Sequence, residues 1–282
     1  LRAMKELVDS FWRAAAYCLH PKVILLALAY SQPRILAMFL PIPLFNRQLL
    51  PGMLRLAIGA GLGVMVAPTL MPAVAASELS SVQVLMLVTK EAFVGFMLGF
   101  LVAIPFWAFE AVGFLIDNQR GASIAASLNP LTGNDSSPLG ILFNQAFIVF
   151  FLVSGAFLVM LDVLYGSFRL WPVLTWMPTL RPESIPFFLQ EILGLLRLAL
   201  LLAAPAIVAM LLAEIGLALV SLVVPQLQVF FLAMPIKSAL VFLVLVVYMG
   251  TLFEYAGDAL QPLRDLLPRL DAQWGSAAGG RR

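Results

Sequence analysis

Long apolar runs alternate with short polar segments along this chain. The apolar runs comprise residues 23–45, 54–76, 85–116, 141–168, 189–224 and 227–253. A helix that crosses a membrane needs about 20 predominantly apolar residues, and each run reaches that length. The pattern therefore predicts an all-α integral membrane protein.

Prolines interrupt nearly all of these runs and predict bent or broken helices. Run 189–224 has 36 residues, which as one helix would measure about 54 Å, whereas the hydrocarbon core of a bilayer is about 30 Å thick. Because proline removes a helical hydrogen bond, we expect run 189–224 to bend or break within a few residues of Pro205. The full set of expected helix breaks is Pro105, Pro205, Pro225 and Pro235. Run 141–168 contains no proline.

Two pairs of glycines inside the runs have the spacing that lets helices approach closely. Gly59 and Gly63 are four residues apart, as are Gly95 and Gly99. Small residues at this spacing let the backbones of neighbouring membrane helices meet. The spacing predicts tight packing at these positions and nothing more specific.

The polar segments divide the chain into three regions. Residues 1–22 form an amphipathic N-terminal segment, residues 23–253 the apolar body, and residues 254–282 a polar tail, predicted to be a short helix and a disordered end. Within the body, residues 117–140 (DNQRGASIAASLNPLTGNDSSPLG) separate two apolar runs. Connections longer than about 12–15 residues without their own structure are usually functional or disordered. This segment is therefore the first candidate for a functional element.

Composition supports the membrane assignment and gives little material for catalysis. Hydrophobic residues make up 62% of the 282 residues and charged residues 11%, and the mean hydropathy is +1.00. The net charge of +2 rests on few charges, so no nucleic-acid partner is expected. Cys18 and His20 are the only residues of their types, which is too few for a zinc site of the usual kind. Motifs of metalloproteases, serine hydrolases and nucleotide-binding enzymes are absent. We expect neither an enzyme nor a cofactor.

Charged residues inside the apolar runs form a second group of candidates. One charge at the bilayer centre costs about 2.5–3.5 kcal/mol, so these side chains should pair, face water or contact protein. Without Glu91, the members named below are three acidic and three basic, which suits ion pairs between helices, but an ion or proton pathway fits equally well. The charges expected to make helix or subunit contacts are Arg34, Glu91, Glu110, Asp162, Arg197, Glu214 and Lys237.

Glu110 and Asp117 allow two interpretations. They are seven residues apart and share a helical face, so they are a candidate carboxylate pair for proton transfer. Asp117 and Arg120 are three residues apart and can neutralise each other instead. We favour the second interpretation, because Asp117 lies where the apolar run ends.

The polar segment and its surroundings resemble a known family. Residues 113–145 (GFLIDNQRGASIAASLNPLTGNDSSPLGILFNQ) are similar to the T component of type III secretion export gates, the SctT family, which is related to the flagellar protein FliR. The matching positions are Asp117, Gln119, Arg120, Gly121, Asn129, Pro130, Ser137, Pro138 and Gly140. Three further blocks agree in order, namely 90–99, 167–172 and 225–240. The resemblance covers roughly residues 25–250 and favours the injectisome branch over the flagellum.

The resemblance implies a fold, an assembly and a role for the polar segment. It implies an export-gate architecture of helical hairpins, in which one T subunit completes a ring of five R and four S subunits. Further implied partners are the U switch subunit, the inner-rod and needle proteins, exported polypeptides and membrane lipid. The gate would lie in the bacterial inner membrane, partly raised towards the periplasm within the base of the secretion system. The segment 117–140 would contribute to a plug that closes the export channel.

Two other functions compete with this interpretation. A secondary transporter of a small solute would also have broken helices and charges near the membrane midplane, but the sequence shows no inverted repeat. An intramembrane hydrolase has the least support. Co-purification discriminates between the first two, because a gate subunit requires partner subunits.

Overall fold

The computed structural model describes residues 21–46, 49–77, 79–121, 137–175, 185–223 and 229–274. These residues form helices joined by short connections, and no strand occurs among them. The α-helices are α1 (Pro21–Phe39), α2 (Gly52–Ala75), α3 (Ser81–Arg120), α4 (Pro138–Val153), α5 (Ala156–Leu170), α6 (Ile185–Val223), α7 (Val229–Arg264) and α8 (Leu266–Trp274), and a 3₁₀ turn covers Pro43–Phe45. The all-α prediction is confirmed.

The predicted membrane spans correspond to helices of sufficient length and apolarity. Five helices qualify within the described ranges, and a sixth span results if the bent pair α4 and α5 is counted as one. This agrees with the six apolar runs. Helix α7 extends across residue 253 to Arg264 and is followed by α8, so the predicted tail begins inside a helix.

The described prolines among the expected helix breaks do not end the helices that contain them, so no break occurs there, and a bend at these positions stays a prediction. Helices α3, α6 and α7 are continuous through Pro105, Pro205 and Pro235, respectively. Pro225 lies outside the described residues. One proline removes a single hydrogen bond, and membrane helices tolerate this where neighbouring groups satisfy the freed carbonyl.

The interruption occurs instead in the run that has no proline. Helix α4 ends at Val153, and Gly155, with φ of +77°, precedes α5. Glycine adopts this left-handed conformation without the steric cost that a Cβ atom imposes. A positive-φ glycine is therefore the residue that ends the helical path here.

The chain divides into two compact units, and α3 contributes to both. The first unit comprises Leu1–Ala103, Leu158–Ser184 and Leu263–Arg282. In this unit α2 approaches α1 through Gly59 and Gly63, where added Cβ atoms would meet Leu36 and Gln32. Helix α3 approaches α1 through Gly95 and Gly99 in the same way. Both predicted small-residue contacts are confirmed.

The second unit comprises Ile104–Phe157 and Ile185–Pro262. Its core contains a cluster of aromatic rings on α3 and α4. Phe106 contacts Phe147 edge to face with ring centroids 4.9 Å apart, and Phe109 stacks on Phe147 at 4.5 Å. Such pairs add about 0.5–1.5 kcal/mol each beyond the burial of their area. The cluster fixes α3 against α4 on either side of the polar segment.

Candidate functional site

The described ends of the polar segment are a helix end and a helix start. Helix α3 continues through Arg120 and is followed by Gly121, whose φ of +84° is that of a glycine ending a helix. Helix α4 begins at Pro138, the position where proline is favoured because its missing N–H needs no partner. Ser137 caps α4 by accepting a hydrogen bond of 2.8 Å from the Gly140 amide.

The Asp117 carboxylate joins these two ends. Its Oδ2 accepts hydrogen bonds from the Ser137 hydroxyl at 2.6 Å and from the Leu139 amide at 2.9 Å, and its Oδ1 accepts one from Arg120 Nε at 2.7 Å. Asp117 is buried, with 3% of its surface exposed. A carboxylate at the first turn of α4 also interacts favourably with the positive end of the helix dipole. The favoured Asp117–Arg120 pair is confirmed.

Glu110 uses the same face of α3 for a different contact. Its Oε2 accepts a hydrogen bond of 2.8 Å from Asn144 Nδ2 on α4. Between the two carboxylates, a Cβ atom at Gly113 would overlap the backbone of Leu139 and Gly140. Glu110 and Asp117 thus share a helical face as predicted, but each is bonded by groups of α4. The alternative of a carboxylate pair for proton transfer has no support in this geometry.

Lys237 of α7 holds the end of α3 from another direction. Its Nζ donates to the carbonyl oxygen of Gln119 at 3.4 Å and to Glu214 Oε2 on α6 at 2.7 Å. A cation at the C-terminal end of a helix is favoured by the helix dipole. Lys237 is buried, whereas 52% of the Glu214 side chain is exposed. Two of the charges that were predicted to make helix or subunit contacts, Glu214 and Lys237, therefore lie beside the end of the predicted loop.

Most of the predicted loop residues gather at this junction. Arg120 has its guanidinium 6.0 Å from the ring centre of Phe242 on α7, within the range of a cation–π contact. Asn129 and Pro130 lie outside the described residues. The junction contains Asp117, Gln119, Arg120, Gly121, Ser137, Pro138, Gly140, Glu214 and Lys237.

A second polar cluster lies in the first unit around Arg34. Arg34 donates to both carboxylate oxygens of Glu91, at 2.7 and 2.9 Å, to the Ser167 hydroxyl at 3.2 Å and to the Trp171 carbonyl at 2.8 Å. Arg34 and Glu91 have no exposed surface. Lys90 also contacts Glu91, at 2.7 Å. Two cations and one anion are thus buried together, and backbone carbonyls bond the excess cation.

Lys90, Ser167 and Asn144 bond the embedded charges, and none of the three was predicted from the sequence as a partner. Lys90 and Ser167 lie in the sequence blocks that resemble the SctT family, but those blocks do not show which groups the two side chains bond. Lys90 donates to the carbonyl oxygens of Pro172, Val173 and Thr175 at 2.6–3.3 Å. Sequence cannot reveal such acceptors, because every residue carries a carbonyl group.

Three of the embedded charges are not buried within the described part of the chain. Asp162 and Arg197 are exposed, and Glu214 is half exposed. Arg197 and Glu214 lie on α6, whose most apolar stretch has only 11% of its residues buried. Helix α6 thus carries two charges that the described part of the chain does not bury, although Glu214 is paired with Lys237. Their contact with other subunits stays a prediction.

A cavity of about 620 Å³ lies beside the first turns of α3 in the first unit. Its lining includes the apolar side chains of Leu85, Met86 and Phe93 and the ammonium-bearing side chain of Lys90. That ammonium group is already bonded by carbonyl groups and Glu91. The cavity is therefore an apolar recess whose cation is not available for a polar solute.

Comparison with known proteins gives a family and several relatives. Residues 25–263 match the model of bacterial export proteins, family 1. The chain is 40% identical over 246 residues to Yop proteins translocation protein T of Yersinia pestis, covering 85% of this chain and 93% of that protein. It is 34% identical over 231 residues to surface presentation of antigens protein SpaR of Salmonella typhimurium, covering 82% and 84%. It is 31% identical over 241 residues to flagellar biosynthetic protein FliR of Bacillus subtilis, covering 83% and 92%.

Proposed function

This chain belongs to family 1 of the bacterial export proteins, and on that premise we propose that it is the T subunit of a type III secretion export gate. It is a component of a bacterial protein export apparatus, as its relatives are. The observation that carries the proposal is the 40% identity to a translocation protein T over 93% of that protein. Identity to the flagellar relative is 31%, which favours the injectisome branch.

The chain is a protein of the bacterial inner membrane, and we expect its long apolar helices to contact partner subunits as well as lipid. In the most apolar stretch of α3, 72% of the residues are buried, against 11% in α6 and 17% in α7. Most residues in the apolar stretches of those two helices are therefore not buried by the described chain. The exposed charge of Arg197 on α6 would be costly against lipid, so a protein neighbour suits this surface better, and the same holds for exposed Asp162 on α5. R and S subunits, expected in a ring of five and four with one T subunit, are the proposed neighbours.

The remaining parts of the proposal concern the passage of substrates. The segment 117–140 contributes to a plug, supported by its Gly, Ser and Asn composition and by the attachment of both its ends to one carboxylate. The U switch subunit, rod and needle proteins and unfolded exported polypeptides are the further partners. The gate is partly raised towards the periplasm. The role is structural and not catalytic, and the transporter alternative has no specific observation in its favour.

Co-expression with the R and S subunits of the same secretion system tests this proposal. The tagged chain should purify with both, and native mass spectrometry should give one copy of it with five R and four S subunits. The chain expressed alone is the matched control and should not reach that mass. Purification as a homo-oligomer that ignores R and S and carries a small solute across vesicles would overturn the gate in favour of a transporter.

A further inference from the structure

Residues at both described ends of the polar segment bond the helical body. Asp117 uses both carboxylate oxygens, one for Arg120 on its own helix and one for Ser137 and Leu139 at the start of α4. We infer that Asp117 and Lys237 are positioning residues, which fix where the segment between α3 and α4 leaves the helical body. This inference rests on the proposed plug function. We call Asp117, Arg120, Ser137, Glu214 and Lys237 together the stem clamp.

The first half of the clamp sets the separation of the two ends. Because the Ser137 hydroxyl and the Leu139 amide share one oxygen of Asp117, at 2.6 and 2.9 Å, the start of α4 cannot move from the last turn of α3 without breaking both bonds. Hydrogen bonds to a buried carboxylate are charge-assisted and stronger than neutral ones. Gly113 adds a steric requirement, because its missing side chain makes room for the backbone of Leu139. The separation is thus set outside residues 122–136.

The second half connects that end with α7. Lys237 contacts the carbonyl of Gln119 at 3.4 Å, a long and weak hydrogen bond, and it is held there by Glu214 at 2.7 Å. Glu214 on α6 is half exposed, whereas Lys237 is buried. The α3 end is therefore oriented by a cation from α7. Asp117 and Lys237 contact different groups, so their effects on the two ends can be separated.

A distance measurement across the stem tests the inference directly. Spin labels are attached at Asn118→Cys and Ile141→Cys, both exposed positions beside the clamp, in a Cys18→Ser chain assembled with its R and S partners. The distance distribution should be narrow. Asp117→Asn and Ser137→Ala should raise the population of separated ends by roughly tenfold or more, as expected for loss of a hydrogen bond to a charged group.

Conservative variants separate positioning from general stability. Ser137→Thr keeps the capping hydroxyl and should retain the narrow distribution, and Asp265→Asn at an exposed position is the matched control for Asp117→Asn. Lys237→Met should shift the label at residue 118 more than Glu214→Gln does, because Glu214 is half exposed. An unchanged distribution in Asp117→Asn and Ser137→Ala overturns the inference. Failure of both variants to enter gates also overturns it, since the residues would then serve folding.

Measuring the ion conductance of the same gates distinguishes failure of the clamp inference from failure of the plug proposal. Clamp variants should leak ions while the assembled gate remains intact. If shortening residues 123–134 makes gates leak but clamp variants neither leak nor separate the labels, the clamp is wrong and the plug stands. If clamp variants separate the labels but shortened gates stay tight, the plug is wrong and the clamp stands.

Discussion

Arg34 is a charged side chain with no exposed surface, in a helix apolar enough to cross a membrane. Its side-chain nitrogens donate to both oxygens of Glu91, to Ser167 and to the carbonyl of Trp171, and its guanidinium also lies 4.3 Å from the ring centre of Phe168. A buried ion is tolerated only when its attraction to a partner and its hydrogen bonds offset the loss of water. The cluster around Arg34 meets that condition.

Replacing Glu91 by Gln should be among the costly single changes in this chain. The substitution leaves the cations of Arg34 and Lys90 buried without their anion. Breaking a buried pair by removing one partner costs about 3–5 kcal/mol, a large fraction of the roughly 5–15 kcal/mol by which folded proteins are stable. The free energy of unfolding in detergent micelles measures the effect.

The control for this substitution is Glu254→Gln on α7, where the side chain is exposed. Surface changes of this kind usually stay within about 0.5 kcal/mol. Equal effects of the two substitutions would contradict the role assigned to Glu91.

At the scale of elements, α1 is held between two helices that approach it through glycines. Gly59 and Gly63 bring α2 to the side chains of α1, and Gly95 and Gly99 bring α3 to its backbone at Arg34 and Met38. The close approach of α3 to α1 also brings the ion pair together, because α3 carries Glu91 one turn before Gly95. The helix contact and the ion pair therefore depend on each other.

Gly95→Ala should force α1 and α3 apart. Its Cβ atom would overlap the carbonyl oxygen of Arg34 and lie 2.8 Å from that residue's carbonyl carbon. Backbone cannot rotate away as a side chain can, so we expect a loss near the upper end of the roughly 1–3 kcal/mol typical of overpacking. Unfolding free energy in micelles is again the measurement.

Gly61→Ala on α2 is the matched control, because its added Cβ would meet no other described part of the chain within 4 Å, apart from the adjoining backbone of its own helix. Alanine favours helix over glycine by about 1 kcal/mol, so this variant should be as stable as the unchanged chain or more so. If Gly95→Ala is equally harmless, the close contact of α1 and α3 does not exist as described.

At the scale of the whole molecule, burial is distributed very unevenly. Helix α3 is largely covered and supplies residues to both compact units, whereas few residues are buried in the most apolar stretches of α6 and α7. A subunit that completes an assembly needs such uncovered surfaces, and the polar segment starts at the end of the covered helix. The effect of the polar segment on transport can therefore be tested by changes that leave the uncovered surfaces of α6 and α7 unaltered.

Deleting residues 123–134 should leave assembly intact and open the closed gate to ions. The deletion keeps Gly121 and Ser137, which end α3 and begin α4, and it removes mainly small and polar residues from the proposed plug. Conductance of assembled gates in planar bilayers measures the leak. Protein export itself should continue, since the channel wall is unchanged.

A replacement of the same twelve positions by Gly and Ser is the control, as it keeps the chain length. It should leak less than the deletion, because it still occupies the passage. Gates that assemble with the deletion and conduct no more than unchanged gates would show that the segment is only a linker.

The sequence by itself determined the class of protein and its local geometry. Run length and apolarity gave the spans, because the thickness of a bilayer sets how many apolar residues a helix needs. Glycine spacing predicted tight packing at the glycine pairs of α2 and α3, and the three-residue separation of Asp117 and Arg120 predicted their pair. These predictions succeed because helical geometry fixes which residues at short separations are neighbours. Motif blocks gave the family.

Tertiary structure alone decided which distant groups meet. Arg34 bonds residues 57, 133 and 137 positions away, and Lys237 bonds Gln119 at a separation of 118. The need for partners followed from the cost of burying charge, but their identity did not, since any donor or acceptor satisfies that need. Likewise, the prolines were tolerated and Gly155 ended a helix. A single lost hydrogen bond can be compensated by neighbours, and only the folded chain determines which neighbours are present.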